Sequence, residues 1–254
     1  MPEKSYAPPY SITDTIIYLV AEICEKVGAI TIKSETPINP QLRRKNQIRS
    51  IHSSLAIENN TLSLEQVTDV INGKRVLGPP SEIREVKNAY EAYNLLLTFD
   101  PFDIEDMLTA HKVLMADLTK EAGRFRSRGV GIFADKQLVH MAPPAKMVPE
   151  HIYNLINWAK ASDTHPLIKS CVFHYELEFI HPFDDGNGRM GRMWQTLLLT
   201  QWKPLFAWLP VEELIRERQQ EYYDVLAISD KAADSTVFIE FMLQIIDSAL
   251  NELL

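Results

Sequence analysis

The chain has 254 residues, 46% of them hydrophobic, enough apolar material for one large core or two small ones. Charged residues make up 24% and the formal net charge is −8, which argues against nucleic acid as the main partner. No window is long and apolar enough to span a membrane, and the N-terminus lacks a signal-peptide pattern. Cys24 and Cys171 are too few for a disulfide framework, so a cytoplasmic protein with no membrane partner is expected.

Helical punctuation then runs along the chain. Ser11 to Asp14 opens a first helix, which Gly28 is expected to close. After the link TIKSETPINP, Leu42, Ile48, Ile51 and Leu55 recur at helical spacing. Ser63 and Gln66 form a capping box for a short helix ending near Gly73. Ile83, Val86, Ala89, Tyr93 and Leu96 define the next face, and Asp103 caps a helix through Met107, His111 and Leu114. The only strand signals are Val130 to Phe133 and Leu138 to Met141, a hairpin that must lie on helices because it cannot form a sheet domain alone. Leu167 to Ile180 is apolar on nearly every face and too long for an ordinary strand, which predicts a buried helix. Helices over Arg189 to Trp202, Val211 to Ile228 and Thr236 to the C-terminus, the last behind a Ser235 cap, complete an all-α architecture with one hairpin.

Between two of these helices lies HPFDDGNGRMGR, His181 to Arg192. Its GNGRMG matches the G-x-G-x-x-G fingerprint of dinucleotide sites, but such a fingerprint must follow a buried strand, and here a helix precedes it. The chemistry points elsewhere. Glycines let backbone N–H groups approach a ligand, and a helix N-terminus favours anions. Arg189 and Arg192 can bind phosphate through charge-assisted hydrogen bonds. An acid beside such a nest is counterproductive unless a divalent cation intervenes, so Asp184 or Asp185 suggests Mg²⁺. His181 completes the set as a general base, giving a magnesium-nucleotide phosphate site.

These residues also resemble the Fic-domain signature H-P-F-x-[D/E]-G-N-G-R-x-x-R at every specified position. AGRFRSRGV with the hairpin after it resembles the Fic flap, and RRKNQIRSIHSSLAIENNTLS resembles the helical segment before many Fic cores. The resemblance implies a Fic-type helical bundle with a single β-hairpin flap over the active site. It divides the chain into an N-terminal helical region (1–98), a catalytic core with the flap (99–205) and C-terminal helices packed on that core (206–254).

It further implies a protein adenylyltransferase, moving AMP from ATP to a Ser, Thr or Tyr hydroxyl of a target protein or of itself. His181 would be the base, and Asp185, not Asp184, the Mg²⁺ holder. Gly186, Asn187, Gly188, Arg189 and Arg192 would bind the phosphates, with Phe183 as the anchor of the histidine. Val130, Gly131, Ile132, Val139 and His140 would dock the target along the flap. Ser54, Glu58 and Asn59 fit the family's inhibitory pattern [S/T]-x-x-x-E-[G/N], which implies a Glu58–Arg192 ion pair that denies the arginine to the γ-phosphate. Three alternatives stay open: a hydrolase that removes AMP, an enzyme with both activities, and an ATP-sensing module without turnover. Beyond the target protein, a second copy of the chain is an open partner.

Overall fold

The computed structural model describes residues 6–33, 40–134 and 137–253, with side chains described except at 32, 33 and 131–141. Eleven α-helices are found among them. Five precede the strands: α1 (Asp14–Lys33), α2 (Pro40–Ile57), α3 (Leu64–Ile71), α4 (Pro80–Leu95) and α5 (Ile104–Leu114). Six follow: α6 (Val148–Ala161), α7 (Pro166–Ile180), α8 (Asn187–Trp202), α9 (Val211–Glu217), α10 (Gln219–Ala232) and α11 (Thr236–Asn251). Two short strands, β1 (Gly131–Ala134) and β2 (Gln137–Met141), pair antiparallel, and Ala142 N–H continues the pairing to Val130 C=O at 3.3 Å.

The apolar residues gather into two cores, and α7 belongs to both. Phe173, Leu177 and Ile180 on one side of α7 pack with α2 to α6 and with Met190, Met193, Trp194 and Leu197 of α8. Leu167, Cys171, Val172 and Tyr175 on the other side pack with α1, α9, α10 and α11. A helix between two cores needs apolar side chains all round, which is why the sequence of α7 shows no polar stripe. Its C-terminal end, where His181 follows, is therefore held on both flanks.

Several local expectations meet their mechanisms here. Ser63 accepts from Gln66 N–H at 3.2 Å and the Gln66 side chain accepts from Ser63 N–H at 2.9 Å, a complete capping box. Asp103 caps α5 by accepting from Glu105 N–H at 2.7 Å. Others are corrected. Gly28 does not end α1, which continues to Lys33 with Gly28 inside it. The segment expected as one helix from Val211 breaks at Arg218 (φ −109°, ψ 33°) into α9 and α10. Ser235 stands at the N-cap position of α11, but its side chain makes no capping bond. Its hydroxyl donates to Pro9 C=O at 3.1 Å, while Asp234 accepts from Thr236 N–H at 2.8 Å. Among the described residues no helix is long and apolar enough to cross a membrane.

Candidate active site

His181 ends α7 in a left-handed backbone conformation (φ 49°, ψ 61°). That region is unfavourable for a residue with a β-carbon, though histidine enters it more readily than most. The turn is tied back by His181 N–H on Leu177 C=O at 2.9 Å. The ring Nδ1 lies 3.3 Å from Glu178 C=O, and since a carbonyl only accepts, Nδ1 carries the proton. Nε2 is then the basic nitrogen.

The loop after it is clamped by a side-chain amide. Phe183 N–H donates to Asn187 Oδ1 and Asn187 Nδ2 donates to Phe183 C=O, both at 2.9 Å. Phe183 is fully buried and stacks face to face on His111, with ring centroids 3.7 Å apart. His111 Nε2 donates to Asp185 C=O and His111 Nδ1 accepts from Gly123 N–H, each at 2.9 Å. Burial pushes the His111 pKa down to about 4, so the ring is neutral, as this pairing requires. Gly186 is held at φ +84°, and a β-carbon there would meet Met115 Sδ at 2.6 Å. Both facts demand glycine. These contacts add to the reading of Asn187: its side chain closes the loop on Phe183, and its backbone N–H lies in the first turn of α8.

The first turn of α8 comes next. The N–H groups of Asn187, Gly188 and Arg189 precede the first intrahelical bond, from Met190 N–H to Gly186 C=O at 3.0 Å. They form a ready anion site. Arg189 is 5% exposed; its Nη2 contacts Asp185 Oδ1 at 3.0 Å and its Nη1 lies 3.6 Å from Glu85 Oε1.

Arg192 is 2% exposed and faces α2. Its Nε donates to Ser54 Oγ at 3.0 Å, and its Nη2 donates to Ser54 C=O at 3.0 Å and to Glu58 Oε1 at 2.8 Å. Burial is the largest single influence and would lower the guanidinium pKa, but Glu58, Tyr222 and Glu178 together outweigh it and raise it. Gly188 leaves room for this pair, since a β-carbon there would strike Glu58 Oε1 and Arg192 Nη1.

Glu58 sits where α2 ends. Asn60 N–H reaches Leu55 C=O at 3.1 Å and Asn59 N–H reaches Ala56 C=O at 3.0 Å, with Asn59 at φ +68°. This is a Schellman ending, whose left-handed position favours glycine or asparagine. Asn59 therefore acts through its backbone, aiming the residue before it. Two residues of α10 secure the same end: Gln219 Nε2 and Tyr223 OH donate to Ile57 C=O at 3.1 Å and 3.4 Å.

The structure thus brings Ser54 and Glu58 to Arg192, Asp185 to Arg189, and Phe183 to Asn187. Of the residues expected to dock a target, Gly131, Ile132, Val139 and His140 are described only in their backbone, as parts of β1 and β2, and Val130 accepts from Ala142 N–H through its carbonyl. His174 is a fully buried core residue: Nδ1 donates to Gln195 Oε1 at 2.7 Å and Nε2 accepts from Tyr222 OH at 3.0 Å. Burial pushes its pKa down to about 3.

His111, Arg126, Gln219 and Tyr223 escaped the sequence reading. His111 looked like one more position on a helix face. Arg126 sits in RFRSR beside Arg124 and Arg128, and only burial, which the sequence does not print, separates it from those two exposed neighbours.

Among the described residues no group of three or more His, Cys, Asp or Glu side chains could hold a metal. Asp185 does offer one carboxylate, 61% exposed, at the mouth of the loop. That fits a hard ion completed by phosphate oxygens and water, and does not fit a cage made of protein alone.

Comparison with known proteins agrees with this geometry. Residues 101–199 match the model of the Fic/DOC family, a span that contains the whole loop. A solved structure of a Fic family protein from Desulfovibrio desulfuricans G20 superposes with a TM-score of 0.94 at 57% identity, covering 98% of this chain and 76% of that one. The protein adenylyltransferase Fic of Aedes aegypti is 27% identical over 89% of this chain and 46% of its own length. The protein adenylyltransferase fic-1 of Caenorhabditis elegans is 27% identical over 80% of this chain and 40% of its own. The chain spans less than half the length of these curated relatives. Sharing more than half its residues with a Fic family protein over nearly its full extent, and carrying the clamped His181 loop inside the matched span, the chain belongs to the Fic family.

Proposed function

We infer that this chain is a protein adenylyltransferase, transferring AMP from ATP to a side-chain hydroxyl of a protein. The observation that carries the reading is the junction of α7 and α8: a histidine with Nδ1 protonated stands beside a turn that directs N–H groups and Arg189 to one place. The hydroxyl oxygen attacks the α-phosphorus, the bond to the bridging oxygen breaks, pyrophosphate leaves, and the hydroxyl proton passes to His181 Nε2. Such base catalysis contributes about 10²- to 10⁴-fold. The N–H groups of Asn187 and Gly188 and the Arg189 guanidinium take the phosphate charge. When Mg²⁺ is bound it adds positive charge against the phosphates, and Asp185 is the residue to hold it.

Glu58 restrains the reaction on this reading, because its carboxylate occupies the Arg192 guanidinium that the γ-phosphate needs. The hairpin serves as the flap, its support being that its roots attach to the loop bearing His181 through Arg126. A reverse, hydrolytic activity is favoured by one feature: Glu58 remains 32% exposed, so its carboxylate can orient a water.

Incubation with α-labelled ATP and Mg²⁺ tests both. Labelling is expected to rise about 5- to 150-fold in Glu58→Gly, the span of typical coupling between sites. It is expected to vanish in His181→Ala. Equal labelling in parent and both variants would overturn the transferase reading. Loss of AMP release in Glu58→Gly without any gain in transfer would establish the hydrolase instead.

A further inference from the structure

Arg126 is 3% exposed, and among the described residues its side chain donates to four acceptors, all of them main-chain carbonyls. Nε reaches His181 C=O at 2.6 Å, and Nη2 reaches Ile180 C=O at 3.2 Å. Nη2 also reaches Pro143 C=O at 2.6 Å, and Nη1 reaches Arg128 C=O at 2.8 Å. Its backbone N–H adds a fifth bond, to Pro182 C=O at 2.9 Å. Three stretches of chain thus meet on one side chain: the end of α7, the segment entering β1 and the segment leaving β2.

The guanidinium is planar and presents its donors in fixed directions, so what it binds is held in orientation as well as in distance. Burying a charge on carbonyls costs more than an apolar filler would, and the arrangement is explained by what it fixes. At one end it fixes the carbonyl of a histidine held in a left-handed conformation. At the other it fixes both roots of the paired strands. The exposed edge of a strand can take up a further extended segment, so its angle to His181 sets where an acceptor hydroxyl would arrive.

We propose that Arg126 is a positioning residue that couples the seating of the hairpin to the orientation of His181. The proposal rests on the reading of His181 as the base and of the hairpin as the acceptor platform. Arg126 touches neither the first turn of α8 nor Arg189 or Arg192, so its loss disturbs alignment and leaves nucleotide binding in place.

The test uses the full chain with Glu58→Gly as parent and adds Arg126→Met or Arg126→Lys. The Met variant is expected to lose about 10²-fold in kcat, the cost of roughly 1 Å of misalignment, with KM for ATP within about threefold. The Lys variant, keeping some of the donors, is expected to recover part of that loss. Unchanged kcat, or kcat and ATP affinity falling together, overturns the proposal. Amide hydrogen exchange, measured in the otherwise unaltered chain, decides the coupling without reference to activity. Arg126→Met is expected to speed exchange both at the hairpin roots and at 181–187, while α2 stays protected; faster exchange at one of these alone overturns it. Should the Glu58→Gly parent transfer no AMP at all, the functional reading fails, and the exchange experiment still judges the coupling.

Discussion

A carboxylate only part-covered by protein holds a guanidinium that is almost wholly buried, and this asymmetry governs what each residue at the pair can do. On the proposed reading Glu58 is the movable partner and Arg192 the fixed one. Removing Glu58 strips an interaction from a buried cation, so Glu58→Gly is expected to be less stable than the parent by about 1–3 kcal/mol even as transfer rises. Added ATP should then raise Tm more in the variant than in the parent, since γ-phosphate replaces the missing anion. Equal ATP-induced shifts in a melting series would contradict this. Asn59 follows from its backbone. Asn59→Gly should be neutral, whereas Asn59→Val should cost about 1–2 kcal/mol for a β-branched residue forced left-handed, and should raise self-labelling as the aim of Glu58 loosens. The motif letters for Ser54 and Glu58 were legible because they name the contacting groups. The reason for asparagine was not, because it resides in the φ of +68°.

The link between α7 and α8 behaves as a unit built on one amide. Asn187→Ala leaves both Phe183 N–H and C=O without their partner, which is expected to cost about 2 kcal/mol or more in urea unfolding. Asn187→Asp keeps only the acceptor half and should fall between. Transfer activity should follow the same order, because the loop carries Phe183 and His181 together. Sequence reading took its asparagine as a phosphate contact; the two bonds to Phe183 add a loop-closing role that a polar residue between two glycines does not reveal by its letter. The elements of the C-terminal region were less legible. Nothing in the run EELIRERQQ around Arg218 marks the break between α9 and α10, and the Ser235 letter predicts the cap position but not that Asp234, one residue earlier in the chain, holds the Thr236 N–H. Caps depend on where the preceding chain travels, here the bond from Ser235 to Pro9, a contact 226 residues distant in sequence.

At the scale of the molecule, burial sets opposing proton ledgers. His111 and His174 are pushed down to about 4 and about 3, so below pH 6.5 the unfolded chain takes their protons first and stability falls on acidification. Glu176, buried with Tyr6 OH donating to it at 2.7 Å, is pushed up to about 7. Its contribution is full below pH 4.5, the ordinary value, and is lost as pH rises through about 7. Two protons thus oppose one between pH 4.5 and 6.5, and burial lowers the pKa of His52 and His165 in the same sense, so unfolding free energy should drop on acidification by about 1.4 kcal/mol per pH unit or more. Glu176→Gln, which keeps an acceptor for Tyr6, should exceed the parent in stability at pH 8 and match it near pH 4.5; parallel curves would refute the assignment. The all-helical architecture was legible from periodicity alone. The division of the apolar residues between two cores was not, because α7 shows only that it is buried and not by what.

One detail of α2 bears on how quickly such an enzyme could respond. Ser54 grips Arg192 through its hydroxyl and its carbonyl, neither of which depends on Glu58. When the glutamate swings aside, the cation stays pointed where it was, already stripped of water and with no rotamer search ahead of it. On the proposed reading, opening the site is therefore a matter of one side chain turning at the tip of a helix, while the helix itself stays still.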